Sequence, residues 1–292
     1  MTIVNLFQPS VTTIVGTQSF VNLLGQGLRV VFSVHRTMTP TPDSCTLALY
    51  NMDPLRRMTI QSQFVEQGTS NMTIMSGYGG VVKPLFNGNV RKMRGVVREG
   101  ADIATQLTGD DGGDIFENVE MNVSYPAMGA DQMIQVAIAA MVAKGIPIVP
   151  HPSVAAVIGQ SNPGALLKIH NVVHVGGVTD LLDEAARLLG SRWWVRDGQL
   201  MLAKQGLPSD GVAGVVLPRT HWLTEPVEDD EDIVSLATFL DPIIVPGRRI
   251  DVIGRTLPGV PESFRAEECT YTGDTFSNAP FACMMRLRRL LP

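Results

Sequence analysis

Glycine and proline divide this chain into short apolar runs, and this division constrains the fold more than any other feature. The 28 Gly and 19 Pro residues recur between those runs, and both residue types interrupt regular structure and favour turns. The run LRVVFSVHRT, residues 28–37, places an apolar residue at every second position through Val34, which is the period of a half-buried strand. The sequence therefore predicts an α+β fold that is mostly β.

Strand patterns occupy both ends of the chain. In residues 1–122, glycine is expected to reverse the chain between strands at Asn87-Gly88 and Glu99-Gly100. A short helix is expected from Pro54 to about Phe64, because proline is favoured at a first helical position. Residues 206–292 again contain apolar runs separated by Pro, Gly, Asp and Asn. We therefore expect two antiparallel β-barrel or sandwich domains.

The middle, residues 123–205, has a different pattern and is expected to form an α/β segment. Two stretches have the spacing and end signals of helices, and one dipeptide between apolar runs is typical of a hairpin turn. The expected elements are a helix over Gln132–Lys144 with Asp131 as N-cap, a helix capped by Thr179 or Asp180 and ended by Gly190, and a hairpin at Asp197-Gly198.

Charge and cysteine content exclude several classes of protein. The formal net charge is -5 and the basic residues are dispersed, so tight binding of nucleic acid is not expected. Three widely spaced cysteines fit reduced thiols better than a disulfide framework. The first ten residues lack the features of a secretory signal, and the apolar stretch 133–143 is about half the length of a bilayer span. A soluble protein is expected.

The stretch TGDDGGDIF, residues 108–116, concentrates Asp110, Asp111 and Asp114 among three glycines. It does not fit the register of an EF-hand, and it is a single copy of a pattern that β-helix calcium sites repeat in tandem. No Lys-Ser or Lys-Thr follows the glycines, so a phosphate loop is not indicated. We interpret the stretch as a turn that closes a strand.

Other groups of polar residues and glycines also have simpler explanations than a metal, catalytic or cofactor site. His170 and His174 have a spacing that shares one face of a helix, but their valine-rich surroundings favour a strand, where the two rings would stand roughly 13 Å apart. The acidic run Glu228–Asp232 is interpreted as a solvated loop. The paired glycines at Gly25 and Gly77 lack the third glycine and the βαβ context of a dinucleotide site. No catalytic, metal or cofactor site is therefore expected.

Two pairs of residues are candidates for contacts with a partner. Trp193 and Trp194 point to opposite faces of one strand, so at most one is expected in the core, and the other is expected to be covered by a neighbouring domain or subunit. Arg286 and Arg288 alternate with apolar residues and are expected either to line an exposed face or to dock onto a partner.

Three passages, in this order, resemble the tail hub (baseplate central hub) proteins of long-tailed phages and contractile injection systems. They are GYGGVVKPLFNGNVRKMRGVVREGADIATQLTGDDG, VTDLLDEAARLLGSRWWVRDGQLML, and SLATFLDPIIVPGRRIDV with the later YTGDTFSNAPFACMMRL. Together they cover most of residues 70–285. The family usually has an aromatic residue in the strand after Gly-Asp-Thr, whereas here Phe281 sits next to Ala282 and Cys283, so the family pattern does not fix the register of this last strand.

The resemblance implies a structural role without catalysis or cofactor. It implies that the two β domains are tube-like and alike in fold, so that a homotrimer forms a pseudo-sixfold ring between the hexameric tail tube, or its initiator, and the central spike. Other baseplate proteins and the tape measure protein are implied partners. DNA would pass through the ring without specific binding. The implied location is the virion, after assembly in the host cytoplasm and without membrane insertion.

Two alternatives to a hub stay open at this point. One is a cell-wall-degrading tail enzyme that draws its carboxylates from Asp110, Asp111, Glu228 or Asp232. The other is a calcium-dependent adhesion module centred on Asp110, Asp111 and Asp114.

Overall fold

Most of the chain forms β-strands. The computed structural model describes residues 9–23, 27–67, 70–78, 81–113, 119–161, 169–209, 213–218, 221–254, 260–277 and 281–290. The strands of these residues are β1 (Pro9–Val15), β2 (Gln18–Leu23), β3 (Val30–Thr37), β4 (Asp43–Tyr50), β5 (Ser70–Tyr78), β6 (Val81–Glu99), β7 (Asp102–Asp111), β8 (Glu120–Met128), β9 (Val149–Pro150), β10 (Ile169–Gly177), β11 (Ser191–Arg196), β12 (Gln199–Lys204), β13 (Ala213–Val216), β14 (Val227–Asp230), β15 (Ile233–Phe239), β16 (Arg249–Ile253), β17 (Pro261–Asp274) and β18 (Ala282–Arg289). The helices are α1 (Pro54–Gln67), α2 (Ala130–Ala143), α3 (Pro152–Gly159) and α4 (Val178–Leu188).

The expected mostly β, α+β class is confirmed, and the strands at the two ends of the chain form one large sheet. Its strand order is β14-β15-β18-β17-β3-β4-β7-β6-β5-β1-β2, with β16 added to β17 and β13 added to β16. Two smaller sheets, β8 with β10 and β9 with β11 and β12, belong to the middle of the chain.

The two ends are joined by the antiparallel pairing of β3 with β17. The ladder runs from Val31 opposite Asp274 to Thr37 opposite Glu268. Beyond this ladder, the side chain of Asn22 donates a hydrogen bond to Thr275 at 3.2 Å. The backbone of one end therefore completes the sheet of the other.

A single apolar core lies beneath the large sheet and draws on both ends. Phe281 is fully buried and contacts the Phe32 ring edge to face at 5.5 Å between centroids. The Tyr78 hydroxyl donates a hydrogen bond to the carbonyl of Phe281 at 2.9 Å. Phe281 immediately precedes β18, so the aromatic ring where the sequence departs from the hub pattern fills the space between the two groups of strands.

The middle has its own core, formed by α2, α4, β11 and β12, with Met133, Ile134, Leu181 and Leu182 among its buried residues. The expected hairpin at Asp197-Gly198 is present, and both residues have positive φ, 50° and 72°. Helix α3 was not expected. Its sequence was interpreted as part of a proline-rich connection, but Pro152 occupies the start of the helix, where it removes no hydrogen bond.

Helix ends were only partly predicted. Both α2 and α4 start earlier than expected, with Gly129 and Gly177 as N-caps. The predicted N-cap residues are therefore wrong. Side chains inside the first turn accept hydrogen bonds from the amides of the actual N-cap residues. Gln132 and Asp180 accept hydrogen bonds from the backbone amides of Gly129 and Gly177, each at 3.2 Å.

The reversal predicted at Asn87-Gly88 is wrong, since both residues lie within the unbroken strand β6. Gly88 serves a close approach instead: a Cβ there would lie 2.3 Å from the carbonyl oxygen of Asp110. The reversal at Glu99-Gly100 is confirmed between β6 and β7, and Gly100 has φ 64°.

The remaining expectations concern thiols and membranes. Cys45, Cys269 and Cys283 are free and buried, as expected for reduced thiols. Among the described ranges, no helix combines the length and apolar character needed to cross a bilayer.

Candidate functional site: a polar sheet face and a buried ionic junction

One face of the large sheet carries small polar side chains on neighbouring strands. Side chains alternate along a strand, so residues paired across strands lie on the same face. Ser33 pairs with Thr46 of β4 and with Thr272 of β17, and Thr46 pairs with Thr108 of β7. We call the following residues the polar face: Ser33, Thr46, Ala48, Gln106, Thr108, Thr270 and Thr272.

The polar face covers the outside of the apolar core. The residues between its members, such as Phe32, Leu47 and Leu107, are buried on the opposite side. A cavity of about 620 Å³ lies on the polar face, and its charged lining residue is Asp274 at one end, which pairs with Arg29 at 2.8 Å. Hydroxyl and amide groups without charge offer weak hydrogen bonds to many partners and strong attraction to none.

Strand register extends this face in both directions and brings charge to its margins. Toward β18, Arg286 lies opposite Glu268, and toward β6, Lys92 and Arg94 lie opposite Thr108 and Gln106. The same face thus continues across eight strands, β14-β15-β18-β17-β3-β4-β7-β6. Its centre is mostly uncharged, apart from His35, which lies 3.7 Å from Glu268, and its ends are charged.

A cluster of charged residues joins the sheet to the hairpin of the middle segment. Arg36 lies 2.7 Å from Asp197 and 3.5 Å from Asp43, and the backbone amide of Asp197 donates a hydrogen bond to Asp111. Arg36 and Asp43 are each 2% exposed and Asp111 is 5% exposed. We call these four residues the ionic junction.

Sequence reasoning missed the ionic junction, although a signal was present. Along β3 the buried positions are Val30, Phe32 and Val34, and the same alternation continues to Arg36. An arginine on the core face needs a carboxylate partner. Asp43 in β4 and Asp111 in β7 are also on inward positions, and they pair with each other in the sheet.

The environment of the ionic junction changes the ionisation of its members. Burial raises the pKa of Asp43 to about 7, and the field of Arg36 only partly offsets that effect. Burial, together with the nearby Asp197, raises the pKa of Asp111 to about 6. Burial alone lowers the pKa of Arg36, but Asp197 and Asp43 outweigh it and raise that pKa above its usual value. The arginine thus stays charged while the pKa values of Asp43 and Asp111 are raised toward neutrality.

The described part of the acidic stretch, residues 108–113, consists of the end of β7 and the start of the turn that follows it. Asp110 and Asp111 lie inside β7, and the turn starts at Gly112, where φ is 84°. Asp110 pairs with Arg91 at 2.9 Å, whereas Asp111 faces the ionic junction, so their carboxylates have separate partners. Asp114 lies outside the described residues. Within the described part of the chain, the acidic, histidine and cysteine side chains form no group that could hold a metal ion.

The other polar groupings are also dispersed. Of the acidic run 228–232, three residues lie in β14 and two in the turn that follows, rather than in a loop as expected. His174 lies in β10, as expected for a strand, with Nε2 2.9 Å from the carbonyl oxygen of Gly177. The side chain of His170 lies outside the described residues.

The four candidate interface residues occupy different environments. Trp193 lies in the middle core and donates a hydrogen bond to Asp183 at 2.7 Å. Trp194 is equally buried, and Met38, the residue after β3, is among the residues that cover it. Arg286 is exposed, whereas Arg288 lies 2.8 Å from Glu267. The role of these residues at an interface between subunits stays a prediction.

Solved structures resemble this chain over nearly its whole length. The 43 kDa tail protein of prophage MuSo2 from Shewanella oneidensis superposes with a TM-score of 0.63 at 10% identity, covering 96% of each chain. The tail protein from Neisseria meningitidis MC58 gives 0.60 at 12% identity, again covering 96% of each. No protein-family model and no characterised protein sequence matches the chain.

A third similar structure comes from a secretion system. The E. coli c3393 protein, described as a type VI secretion component with structural similarity to the T4 phage tail proteins gp27 and gp5, superposes with a TM-score of 0.60 at 10% identity. The match covers 95% of this chain and 76% of that one. The fold implied by the resemblance in sequence is therefore confirmed: this chain has the fold of phage tail proteins and of their counterpart in a secretion system.

Proposed function

We propose that the chain is the structural hub of a phage tail tip or baseplate, in which three copies form a pseudo-sixfold ring. The ring would join the hexameric tail tube on one side to the central spike on the other. Its role would be geometric, without catalysis. The polar groups that sequence alone offered for catalysis are dispersed or already paired in the described residues, as for Asp110 with Arg91.

The observation that carries this proposal is the pairing of β3 with β17. It places strands from both ends of the chain side by side in one sheet, so each copy contributes two adjacent arcs of strands. Three copies then contribute six arcs, which suits contact with a sixfold tube. We keep residues 1–122 and 206–292 as the two tube-like domains and 123–205 as the segment between them.

The polar face is the surface best suited to line the channel of such a ring. Its central side chains are Ser, Thr, Ala and Gln, so DNA phosphates would meet hydroxyl and amide groups rather than a continuous basic surface. Weak, uncharged contacts let a polyanion slide, whereas dense Lys and Arg would hold it. The formal net charge of -5 favours the same outcome.

The native mass of the purified protein, alone and mixed with the product of the adjacent tail gene, tests the proposal. We expect a threefold ring with an open centre in at least one sample, visible in negative-stain images. A chain that stays monomeric with every tail partner present would contradict the hub role. Assays for cell-wall clearing and for calcium-dependent stabilisation would then become the next experiments.

A further inference from the structure

Within the described residues, the strand order of the large sheet ends in β14 on one side and in β2, which carries no charged residue, on the other, and the second half of β6 forms a further unpaired edge. Strand β14 pairs with β15 on one side only. Strand β6 is long enough to change partners: its first half pairs with β5, and its second half, residues 91–99, pairs only with β7. Unpaired edges expose backbone amides and carbonyls that can bind another strand.

The edge of β14 is acidic. Asp229 and Asp230 are exposed in the strand, and Glu231 and Asp232 are exposed in the turn that follows. In the part of the chain that the structure describes, none of these four carboxylates forms a salt bridge with Lys, Arg or His. Their negative charge therefore faces solvent.

The edge of β6 is basic. Lys92, Arg94 and Arg98 are all exposed along its second half, and none of the three forms a salt bridge to a described carboxylate. The adjoining Arg91 is engaged with Asp110 and is not part of this set.

Each edge also exposes an apolar side chain. Val96 of β6 is 61% exposed and Val227 of β14 is 59% exposed. Isolated exposed valines are common, but here Val227 stands beside the acidic run, and Val96 stands beside three basic residues, with one carboxylate, Glu99, at the end of the strand. This combination of apolar contact, charge and free backbone groups is what a strand-to-strand interface requires.

We propose that β14 of one copy pairs with the second half of β6 of the next copy. The acidic residues of β14 would then lie beside Lys92 and Arg94, and the two valines would be covered. Like charges disfavour β14 against β14 and β6 against β6, so the contact is head to tail. Repeated head-to-tail contacts form a ring where the rotation between copies closes and an open filament where it does not, so the proposal rests on the ring proposed above.

Charge reversal tests this contact. One variant carries Asp230→Lys with Glu231→Lys, a second carries Lys92→Glu with Arg94→Glu, and a third combines all four changes. The combined variant regains the wild-type formal net charge of -5. The matched control is Lys144→Glu with Arg192→Glu, which reverses two exposed charges in the middle segment.

We expect each two-residue variant at the edges to weaken ring formation about tenfold or more, measured by native mass against protein concentration. The combined variant should restore the ring, and the control should leave it unchanged. Unchanged melting temperatures would show that each variant folds, because all the substituted side chains are exposed.

Three results would overturn the inference. Rings that persist in both edge variants would place the contact elsewhere while leaving the hub proposal intact. Rings that the combined variant fails to restore would show that the charges do not face each other. If the edge variants only precipitate, the charges merely keep neighbouring copies apart. A wild-type chain that forms no ring with any partner would instead remove the hub proposal itself.

Discussion

The cores of the large sheet and of the middle segment differ in the sequence separation of the residues that form them. The core of the sheet is assembled from residues far apart in sequence, such as Tyr78 with Phe281. The core of the middle uses neighbours within residues 119–202, such as Trp193 with Asp183. The two regions meet where the hairpin of β11 and β12 reaches the sheet, through Trp194 and the ionic junction. The comparison shows that a local unit can be held to a non-local one by a few buried contacts.

Removing the central charge of the ionic junction should damage this connection most. In Arg36→Ala, Asp43 and Asp111 lose the cation that offsets their burial, and we expect a loss of about 3–5 kcal/mol in the free energy of unfolding. Urea denaturation measures this. Replacing Arg36 by Met together with Asp43 by Asn should recover part of the loss, because the buried carboxylate of Asp43 is then removed together with its cation, whereas Asp111 and Asp197 remain. A single variant as stable as wild type would show that the connection does not depend on Arg36.

The connection should also respond to pH. Asp43 and Asp111 have folded pKa values of about 7 and about 6, above the ordinary value of 3.8. The folded chain therefore holds protons that the unfolded chain releases. The stability contributed by these protons is present below pH 3.8 and is lost as the pH rises through 6 to 7.

In Asp43→Asn this part of the pH dependence should shrink, since the remaining charged groups at the ionic junction are Arg36, Asp111, Asp197 and the nearby Arg196. Unfolding free energies between pH 5 and 8 for wild type and variant provide the measurement. We expect the difference in slope to reach about 1 kcal/mol per pH unit near neutrality. Parallel curves for the two proteins would contradict the raised pKa of Asp43.

The polar face should be the least sensitive region. Thr46 is exposed there and its side chain makes no hydrogen bond to a described residue, so Thr46→Val should change the free energy of unfolding by no more than about 0.5 kcal/mol. Thermal unfolding measures this, with the buried Leu47→Ala as the contrasting variant, expected to cost about 2–5 kcal/mol. Equal losses in the two variants would show that the polar face is part of the packed structure.

Local features of the fold could be predicted from sequence, and long-range ones could not. The alternation in residues 28–37 predicted β3, and Asp197-Gly198 predicted its hairpin, because both signals lie within a few residues. The turn predicted at Asn87-Gly88 is wrong because Gly88 is required by the close approach of β7 to β6. A local sequence pattern contains no information about that contact. The polar face depends on the register of four strands, β17, β3, β4 and β7, and its Ser, Thr, Ala and Gln residues show no common feature until those strands are aligned. Arg36 could have been found by extending one alternation by two residues.

The pairing of β3 with β17 has a consequence for how the protein is made. Arg29, just before β3, and its partner Asp274 are 245 residues apart, and at about 5–20 residues per second the ribosome needs roughly 10 to 50 s to span that distance. During this interval the edge of β3 lacks its partner strand. A nascent chain that stops early has no β17, so it cannot complete the sheet. Only a chain whose synthesis is complete could therefore form the whole sheet and be incorporated into an assembly.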